Sequence, residues 1–177
     1  MAGQRIETDR LILRRWQDSD RTPYAEICAD TEVMRYIGDG STRSAEQASR
    51  GIDGFEAAWN ENGFGLFALE LRDSCTFAGF CGLARPDFMP ELLPATEIGW
   101  RLGRQYWGKG LASEAAVAAL QFAREHPAVG EIVSICQAGN HASVRIMEKI
   151  GLAFDREAID PTCERDVLVY RDNRAAR

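Results

Sequence analysis

The sequence has 177 residues, a mass of 19.7 kDa and a globular balance of 45% hydrophobic and 27% charged residues, which excludes a disordered chain. Its net charge of −6 and pI near 5.0 argue against a general binder of nucleic acid or of anionic membranes. The sequence contains no apolar run as long as a membrane span and no visible signal peptide, so we expect a cytoplasmic protein.

We expect a single domain over residues 1–172 and a polar tail over 173–177, because no repeat or linker divides the chain. The five cysteines include no C-x-x-C pair, which is typical of reduced and mostly buried thiols. The two histidines, His126 and His141, are too far apart for a histidine metal motif, so no metal site is predicted.

The first part of the chain predicts one strand followed by helices. Residues 8–15 are an apolar run flanked by charge, and residues 18–20 supply N-cap chemistry for a helix around Tyr24. A second helical stretch reaches Ile37 before a glycine-rich break. Residues 44–59 have the apolar spacing of an amphipathic helix.

The rest of the chain predicts a hairpin, a strand–helix–strand unit, a further helix and two closing strands. A right-handed crossover would make the two strands of that unit parallel. Seven strands, with antiparallel pairs and one crossover, indicate a mixed α/β or α+β fold. The predicted elements cover residues 64–71, 76–83, 96–102, 111–124, 131–136, 140–150, 153–157 and 166–171.

The segment 98–112 carries the chemistry. A strand, a glycine-bearing turn and the first turn of a helix are typical of a phosphate or pyrophosphate site, because the first N–H groups of a helix lack partners. Gly108 and Gly110 would let the backbone approach an anion. The segment is neither a P-loop nor a dinucleotide fingerprint, since no Ser or Thr follows Lys109 and position 113 is Ser. A tight turn that needs glycines for geometry alone stays an alternative.

The stretch Gln105-Tyr106-Trp107-Gly108-Lys109-Gly110 resembles the Q/R-x-x-G-x-G/A pyrophosphate loop of the GNAT N-acetyltransferase superfamily. Three further stretches resemble the ribosomal-protein N-terminal (Rim-type) branch, and the resemblance covers nearly the whole chain. They are Thr8–Arg14, Glu97-Ile98-Gly99-Trp100 and the series Asn140, Ser143, Met147, Lys149 and Gly151.

This resemblance implies a mostly antiparallel sheet of about seven strands, with a splayed parallel central pair and helices on both faces. In the family the strand before the loop carries a bulge, and the pantetheine arm of acetyl-CoA pairs with its backbone, here at Ile98, Trp100 and Leu102. The pyrophosphate would lie on N–H groups of the loop and of the helix that follows it. Those residues are Gln105, Tyr106, Trp107, Gly108, Lys109, Gly110, Leu111 and Ala112.

The resemblance also assigns roles near the thioester. Asn140 would contact the pantetheine arm, although it is also a good helix N-cap. Ser143 would lie near the sulfur, although it could also be a surface residue in the first helical turn. Because Met147 stands where many relatives have a tyrosine, either Ser143 or a water would donate the proton to the leaving thiolate. Ile135 stands where some relatives have a glutamate that acts as the general base. Glu97 is then the best remaining candidate for the general base. The alternative is that Glu97 is simply a polar residue at the end of a strand.

The sequence therefore predicts an acetyl-CoA-dependent N-acetyltransferase, in which a primary amine attacks the thioester directly. The acceptor is a protein or peptide N-terminus or a small amine, and the enzyme is a monomer or homodimer. Residues 97–149 have a net charge of +1 and the remainder −7, which favours a cationic acceptor beside the acidic part. A non-catalytic acyl-CoA-binding module and a nucleotide-phosphate binder unrelated to CoA are the competing hypotheses.

Overall fold

A mixed sheet of eight strands forms the centre of the protein, in the order β1-β2-β3-β4-β5-β6-β8-β7. The structure is a computed structural model and describes residues 4–173. The strands are β1 Ile6–Glu7, β2 Leu11–Arg14, β3 Leu66–Leu71, β4 Phe77–Ala84, β5 Thr96–Leu102, β6 Ile132–Gln137, β7 Ala153–Asp160 and β8 Arg165–Arg171. The helices are α1 Arg21–Ala29, α2 Thr31–Met34, α3 Ala45–Asn62, α4 Leu111–Glu125 and α5 His141–Lys149.

The N-terminal elements differ in detail from the prediction. The predicted first strand over 8–15 is β2, and the short β1 pairs with it as an eighth strand. Asp20 does not cap α1 with its side chain. Its buried carboxylate instead accepts two hydrogen bonds from Arg14, at 2.8 and 2.9 Å, because a buried guanidinium needs a charged partner. The second helix ends at Met34, before Ile37.

Helices cover both faces of the sheet, as predicted, because β3 and β4 send alternate side chains to opposite sides. Phe67 and Cys81 pack with α4 on one face. Ala68 and Phe80 pack with α1 and α3 on the other face, where an aromatic cluster forms. That cluster consists of Trp16, Tyr24, Phe55, Phe77 and Phe80.

The parallel pair predicted between β5 and β6 is confirmed, with α4 as the crossover. Its ladder contains two residue pairs, Thr96 with Ile132 and Glu97 with Val133. Beyond Glu97 the two strands separate, and β5 keeps its antiparallel ladder with β4 alone. The expected bulge in β5 is wrong, because the register between β4 and β5 is continuous from Glu97 to Leu102. The short parallel ladder alone therefore opens the sheet.

Three of the five cysteines are buried, and all five are free thiols. Along the part of the chain that the structure describes, no helix is both long enough and apolar enough to span a membrane. Of the predicted polar tail, residues 174–177 lie outside the described residues.

Candidate active site

The loop between β5 and α4 has the shape that an anion-binding loop requires. It contains a short 3₁₀ turn, Arg104–Tyr106, and two glycines with left-handed backbones, Gly108 at φ +72° and Gly110 at φ +76°. Other residues adopt such φ values only with strain. A side chain at Gly108 would meet open space, so backbone conformation, rather than a shortage of room, explains the glycine there.

The loop ends at the N-terminus of α4, which has no side-chain cap. Gly110 is the N-cap residue, so the first N–H groups of a 15-residue helix have no side-chain acceptor there. Leu111 is buried in the core and Ala112 packs against it, which fixes the first turn. The helix therefore offers free donors and the positive end of its dipole. Lys109 is exposed beside them.

Arg10, which precedes β2, holds the loop in place. Its Nη1 donates to the carbonyl of Lys109 at 2.8 Å, and its Nε donates to Glu114 Oε2 at 2.7 Å. Thr8 Oγ1 donates to the other oxygen of Glu114 at 2.6 Å. The sequence around Thr8 and Arg10 predicts a strand but not this anchor, because the partners lie about a hundred residues apart.

The indole of Trp107 closes the loop from within. Its Nε1 donates to the carbonyl of Leu102 at 2.9 Å, although 48% of the residue is exposed. Gln105 is exposed, and Tyr106 packs partly against the core. The side chains of this loop therefore shape its backbone, which agrees with the expectation that a ligand is bound through N–H groups.

A cleft of about 440 Å³ lies where β5 and β6 separate. Four of the predicted site residues line it together: Glu97, Trp100, Asn140 and Ser143. The side chains of Ile98 and Leu102 are buried in the core instead, so these residues offer a ligand their backbone alone. The described lining includes no residue of the segment 105–112.

At one wall of the cleft, Asn140 caps α5. Its Oδ1 accepts a hydrogen bond from the backbone N–H of Ser143 at 3.2 Å. This confirms the helix-cap role of Asn140, while its contact with a ligand stays a prediction. The Ser143 hydroxyl has no hydrogen-bond partner among residues 4–173, and Met147 lies buried beside it. A hydroxyl that can donate a proton is therefore available one helical turn before Met147, the residue that stands where many relatives have a tyrosine.

Glu97 lies at the point where the parallel ladder ends, and its carboxyl group faces the cleft. Burial, together with the negative charge of Asp160, raises the pKa of Glu97 to about 8. No group in the described part of the chain donates a hydrogen bond to its carboxylate. Such a carboxyl group can lose and take up a proton near neutral pH, as a general base must.

Asp160, at the end of β7, stays charged in the same cleft. Burial alone would raise its pKa, but hydrogen bonds from Thr162 outweigh burial and lower it. The Oδ1 atom of Asp160 accepts from the backbone N–H of Thr162 at 2.8 Å and from its hydroxyl at 2.6 Å. The two carboxyl groups of the cleft thus have pKa values shifted in opposite directions.

The arginines of the cleft were not predicted as site residues, since they come from three separate segments. Arg43, Arg85 and Arg101 line it together with Glu97 and Asp160. A positive residue in β5 at the same alternation as Glu97 was a signal that a cation and a carboxyl group share one face. The lining therefore does not repeat the acidic excess of the whole chain, so the expectation of a cationic acceptor beside an acidic region finds no support in its charges.

Comparisons with known proteins agree with this architecture. Residues 10–153 match the Acetyltransferase (GNAT) domain family. The chain is 31% identical over 147 residues to "Uncharacterized N-acetyltransferase YnaD" of Bacillus subtilis, covering 83% of this chain and 81% of that one. It is 27% identical over 160 residues to the [Ribosomal protein uS5]-alanine N-acetyltransferase of Escherichia coli, covering 86% and 79%.

Among solved structures, the acetyltransferase (GNAT family) from Bacillus anthracis superposes with a TM-score of 0.80 at 26% identity, covering 96% of this chain and 98% of that one. The family match spans most of the chain and includes β5, the glycine loop, α4 and α5. The chain therefore belongs to the GNAT acetyltransferase family, and it is an N-acetyltransferase.

Proposed function

We propose that this protein transfers the acetyl group of acetyl-CoA to a primary amine by direct attack within a ternary complex. The observation that carries this proposal is the opening between β5 and β6. It begins at Glu97, whose carboxyl group has a raised pKa, and it leads along β5 to the glycine loop. A thioester lying in this opening would have a base at one end and anion-binding N–H groups at the other.

The loop and β5 would hold the cofactor. The pyrophosphate fits the N–H groups from Gln105 to Gly110 and the free N-terminus of α4. The pantetheine arm fits the edge of β5 that has no strand partner beyond Glu97, at Ile98, Trp100 and Leu102. Along this edge the carbonyls of Ile98 and Leu102 already accept hydrogen bonds from the side chains of Ser134 and Trp107. A pantetheine amide can pair with such an edge as an added strand does.

The cleft residues would perform the chemistry. The carboxylate of Glu97 takes a proton from the acceptor ammonium, and the free amine then attacks the thioester carbonyl. A carbon–nitrogen bond forms as the carbon–sulfur bond breaks. The hydroxyl of Ser143 donates a proton to the departing thiolate and takes up the second proton that the nitrogen loses as it becomes an amide. Holding both reactants in one cleft removes several kcal/mol, roughly 7–11 at best, from the barrier.

We include in this proposal that the chain belongs to the ribosomal-protein N-terminal branch of the family. The Escherichia coli relative is named for acetylating an alanine of ribosomal protein uS5, which supports an α-amine acceptor. Small amines are accepted by the same chemistry, since Glu97 and Ser143 act on the amine and the thioester alone.

Release of free thiol from acetyl-CoA, measured over a panel of peptides and small amines, tests the proposal. We expect turnover with at least one amine and a loss of it in Glu97→Gln. Thermal shifts with CoA and with ATP establish which ligand is bound. Tighter binding of ATP than of CoA contradicts the cofactor assignment. Binding of CoA without turnover of any amine identifies a non-catalytic acyl-CoA-binding module instead.

A further inference from the structure

None of the three arginines of the cleft has a carboxylate partner among the described residues. Arg85 donates instead to the carbonyl of Pro94 at 2.8 Å, whereas the side chains of Arg43 and Arg101 donate to no carboxylate or carbonyl oxygen in this part of the chain. Arg101 is half-buried, and its Nη1 lies 3.3 Å from the hydroxyl of Tyr24 and 3.7 Å from the sulfur of Cys28, neither of which is a carboxylate. Its Nε is the one buried side-chain nitrogen or oxygen of residues 4–173 without a hydrogen-bond partner. Arg43, also half-buried, has neither a hydrogen bond nor an ion pair from its side chain within the same residues.

The other buried and half-buried arginines of residues 4–173 donate to carboxylate, carbonyl or amide oxygens, so these two stand apart. Arg14 and Arg15, for example, form ion pairs with carboxylates at 2.6–2.8 Å, and Arg85 donates to the carbonyl of Pro94. An unpaired charge in a partly buried position costs more than a paired one, because it loses hydration without gaining a counter-ion. A bound anion would supply the counter-ion that the fold itself does not provide for Arg43 and Arg101.

Both guanidinium groups belong to the cleft, and Arg101 shares a face of β5 with the proposed base. Glu97, Gly99 and Arg101 alternate along the strand and line the cleft. Gly99 has no side chain, and Glu97 Oε1 would lie 3.9 Å from a Cβ placed there. The floor between the carboxyl group and the guanidinium is therefore open to a ligand.

Arg43 reaches the same end of the cleft from the segment between α2 and α3. Its charge and that of Arg101 both act on the buried hydroxyl of Tyr24, opposing the rise that burial causes in the pKa of that tyrosine. Two positive charges thus converge at one end of the cleft, with the proposed base at the other. The Cα atoms of Glu97 and Arg101 are about 13 Å apart along the strand, and both side chains are long enough to shorten that span.

We propose that the acceptor is a small amine that carries a carboxylate, with the amine at Glu97 and the carboxylate bound by Arg101 and Arg43. This inference rests on the proposed function and narrows its substrate class. Arginine suits the role because its planar fork binds a carboxylate through two hydrogen bonds. The aromatic ring of Phe80, whose centroid is 5.2 Å from the Arg101 guanidinium, holds that fork in place.

Matched pairs of acceptors test this inference. Each pair joins an amino carboxylate to its neutral twin: L-amino acids beside their carboxamides, and ω-amino carboxylates of increasing length beside the amino alcohols of the same length. Aminoalkyl phosphonates and C-terminally amidated peptides complete the panel. We expect kcat/KM to be about 10- to 100-fold higher for the best carboxylate than for its twin, as for a hydrogen bond to a charged group.

The arginine variants must remove this preference. In Arg101→Gln and Arg43→Gln the ratio between the twins falls towards one, whereas the exposed Arg50→Gln, which removes a surface ion pair with Glu46, keeps the wild-type ratio. Should Arg101→Gln fail to fold, Arg43→Gln and Arg101→Lys decide the matter, since the lysine keeps the charge and loses the fork. A ratio unchanged in the folded variants overturns the inference.

The remaining outcomes separate this inference from the proposed function. Turnover of neutral amines, of phosphonates or of amidated peptides at rates above every carboxylate overturns the inference and leaves acetyl transfer intact. If no amine is acetylated, the proposed function fails, and binding then decides the inference. With CoA present, an amino carboxylate must raise the melting temperature more than its twin does, and Arg43→Gln must abolish the difference; equal shifts overturn it.

Discussion

The glycine loop and the acceptor cleft are built in opposite ways. The loop is one continuous segment that acts through its backbone, with Gly108 and Gly110 in left-handed conformations before an uncapped helix. The cleft is assembled from side chains on several elements, with Glu97 on β5, Ser143 on α5 and Asp160 on β7. A site made of contiguous backbone serves one invariant ligand, whereas a site made of distant side chains can change its acceptor without changing the fold.

This difference predicts that the two regions fail separately. Changes in the loop should alter cofactor affinity and leave the pH profile in place. Changes in the charged acceptor side chains of the cleft, Glu97, Asp160, Arg43 and Arg101, should alter turnover, acceptor choice or pH profile and leave cofactor affinity in place. A variant of either region that changes both the affinity for CoA and the pH profile would contradict this separation.

Glu97→Gln has the largest expected effect. The amide keeps the shape of the side chain but cannot accept a proton, so kcat should fall by about 10²–10⁴-fold. In the wild type the rate should rise with pH through about 8, because Glu97 is a base only after it loses its proton. That rise should disappear in the variant. Steady-state kinetics between about pH 6 and pH 10, a range that brackets the raised pKa, measure this rise and its loss.

The affinity of Glu97→Gln for CoA serves as its control. Titration calorimetry should give a dissociation constant close to that of the wild type, since the carboxyl group lies in the cleft and not in the loop. A variant that keeps both its rate and its pH profile removes Glu97 from the mechanism.

Gly108→Pro should have the next largest effect. Proline holds φ near −65°, whereas Gly108 has φ +72°, so the loop must change its path and its N–H groups must turn away. We expect the affinity for CoA to fall by about 100-fold or more, equivalent to the loss of two or more charge-assisted hydrogen bonds. Calorimetric titration with CoA measures this loss.

Lys109→Ala is the matched control for the loop, because its exposed side chain is removed while its backbone N–H stays. We expect a change of about threefold or less, as for a surface charge. Circular dichroism establishes that both loop variants fold. An unchanged affinity in folded Gly108→Pro contradicts the assignment of this loop to the pyrophosphate.

The same comparison explains which features could be predicted from the sequence. The glycine loop, α4 and the Asn140 cap were predictable, because their signals are local: glycines at fixed offsets, apolar spacing, and an Asn three residues before the N–H that it caps. The parallel pair followed from the handedness of the crossover. These features depend on neighbours in the sequence.

The missed features depend on contacts between distant residues. The ion pair of Arg14 with Asp20 replaced a helix cap, since burial of Arg14 required the carboxylate. The eighth strand is two residues long, too short for any periodicity to reveal. The convergence of Arg43 and Arg101 at one end of the cleft has no signal in a single sequence, because the fold alone brings them together.

Arg10→Gln should have a smaller effect, on the loop side of the comparison. The variant loses the hydrogen bond to the Lys109 carbonyl and the ion pair with Glu114, so the loop backbone becomes less well ordered. We expect the affinity for CoA to fall by about 3- to 10-fold, the value of one or two exposed hydrogen bonds. Arg5→Gln, which removes an exposed pair with Glu7, is the control. A changed pH profile in Arg10→Gln would contradict a purely positioning role.

Asp160→Asn should have the smallest effect, on the cleft side. The variant keeps the Oδ1 atom that accepts from Thr162 but removes the negative charge that helps to raise the pKa of Glu97. Because burial is the larger cause, the pKa of Glu97 should fall by less than about one unit and stay above its ordinary value. The rise of rate with pH then moves to lower pH, and turnover at neutral pH increases severalfold at constant CoA affinity. A shift to higher pH would mean that Asp160 does not act on Glu97 through its charge.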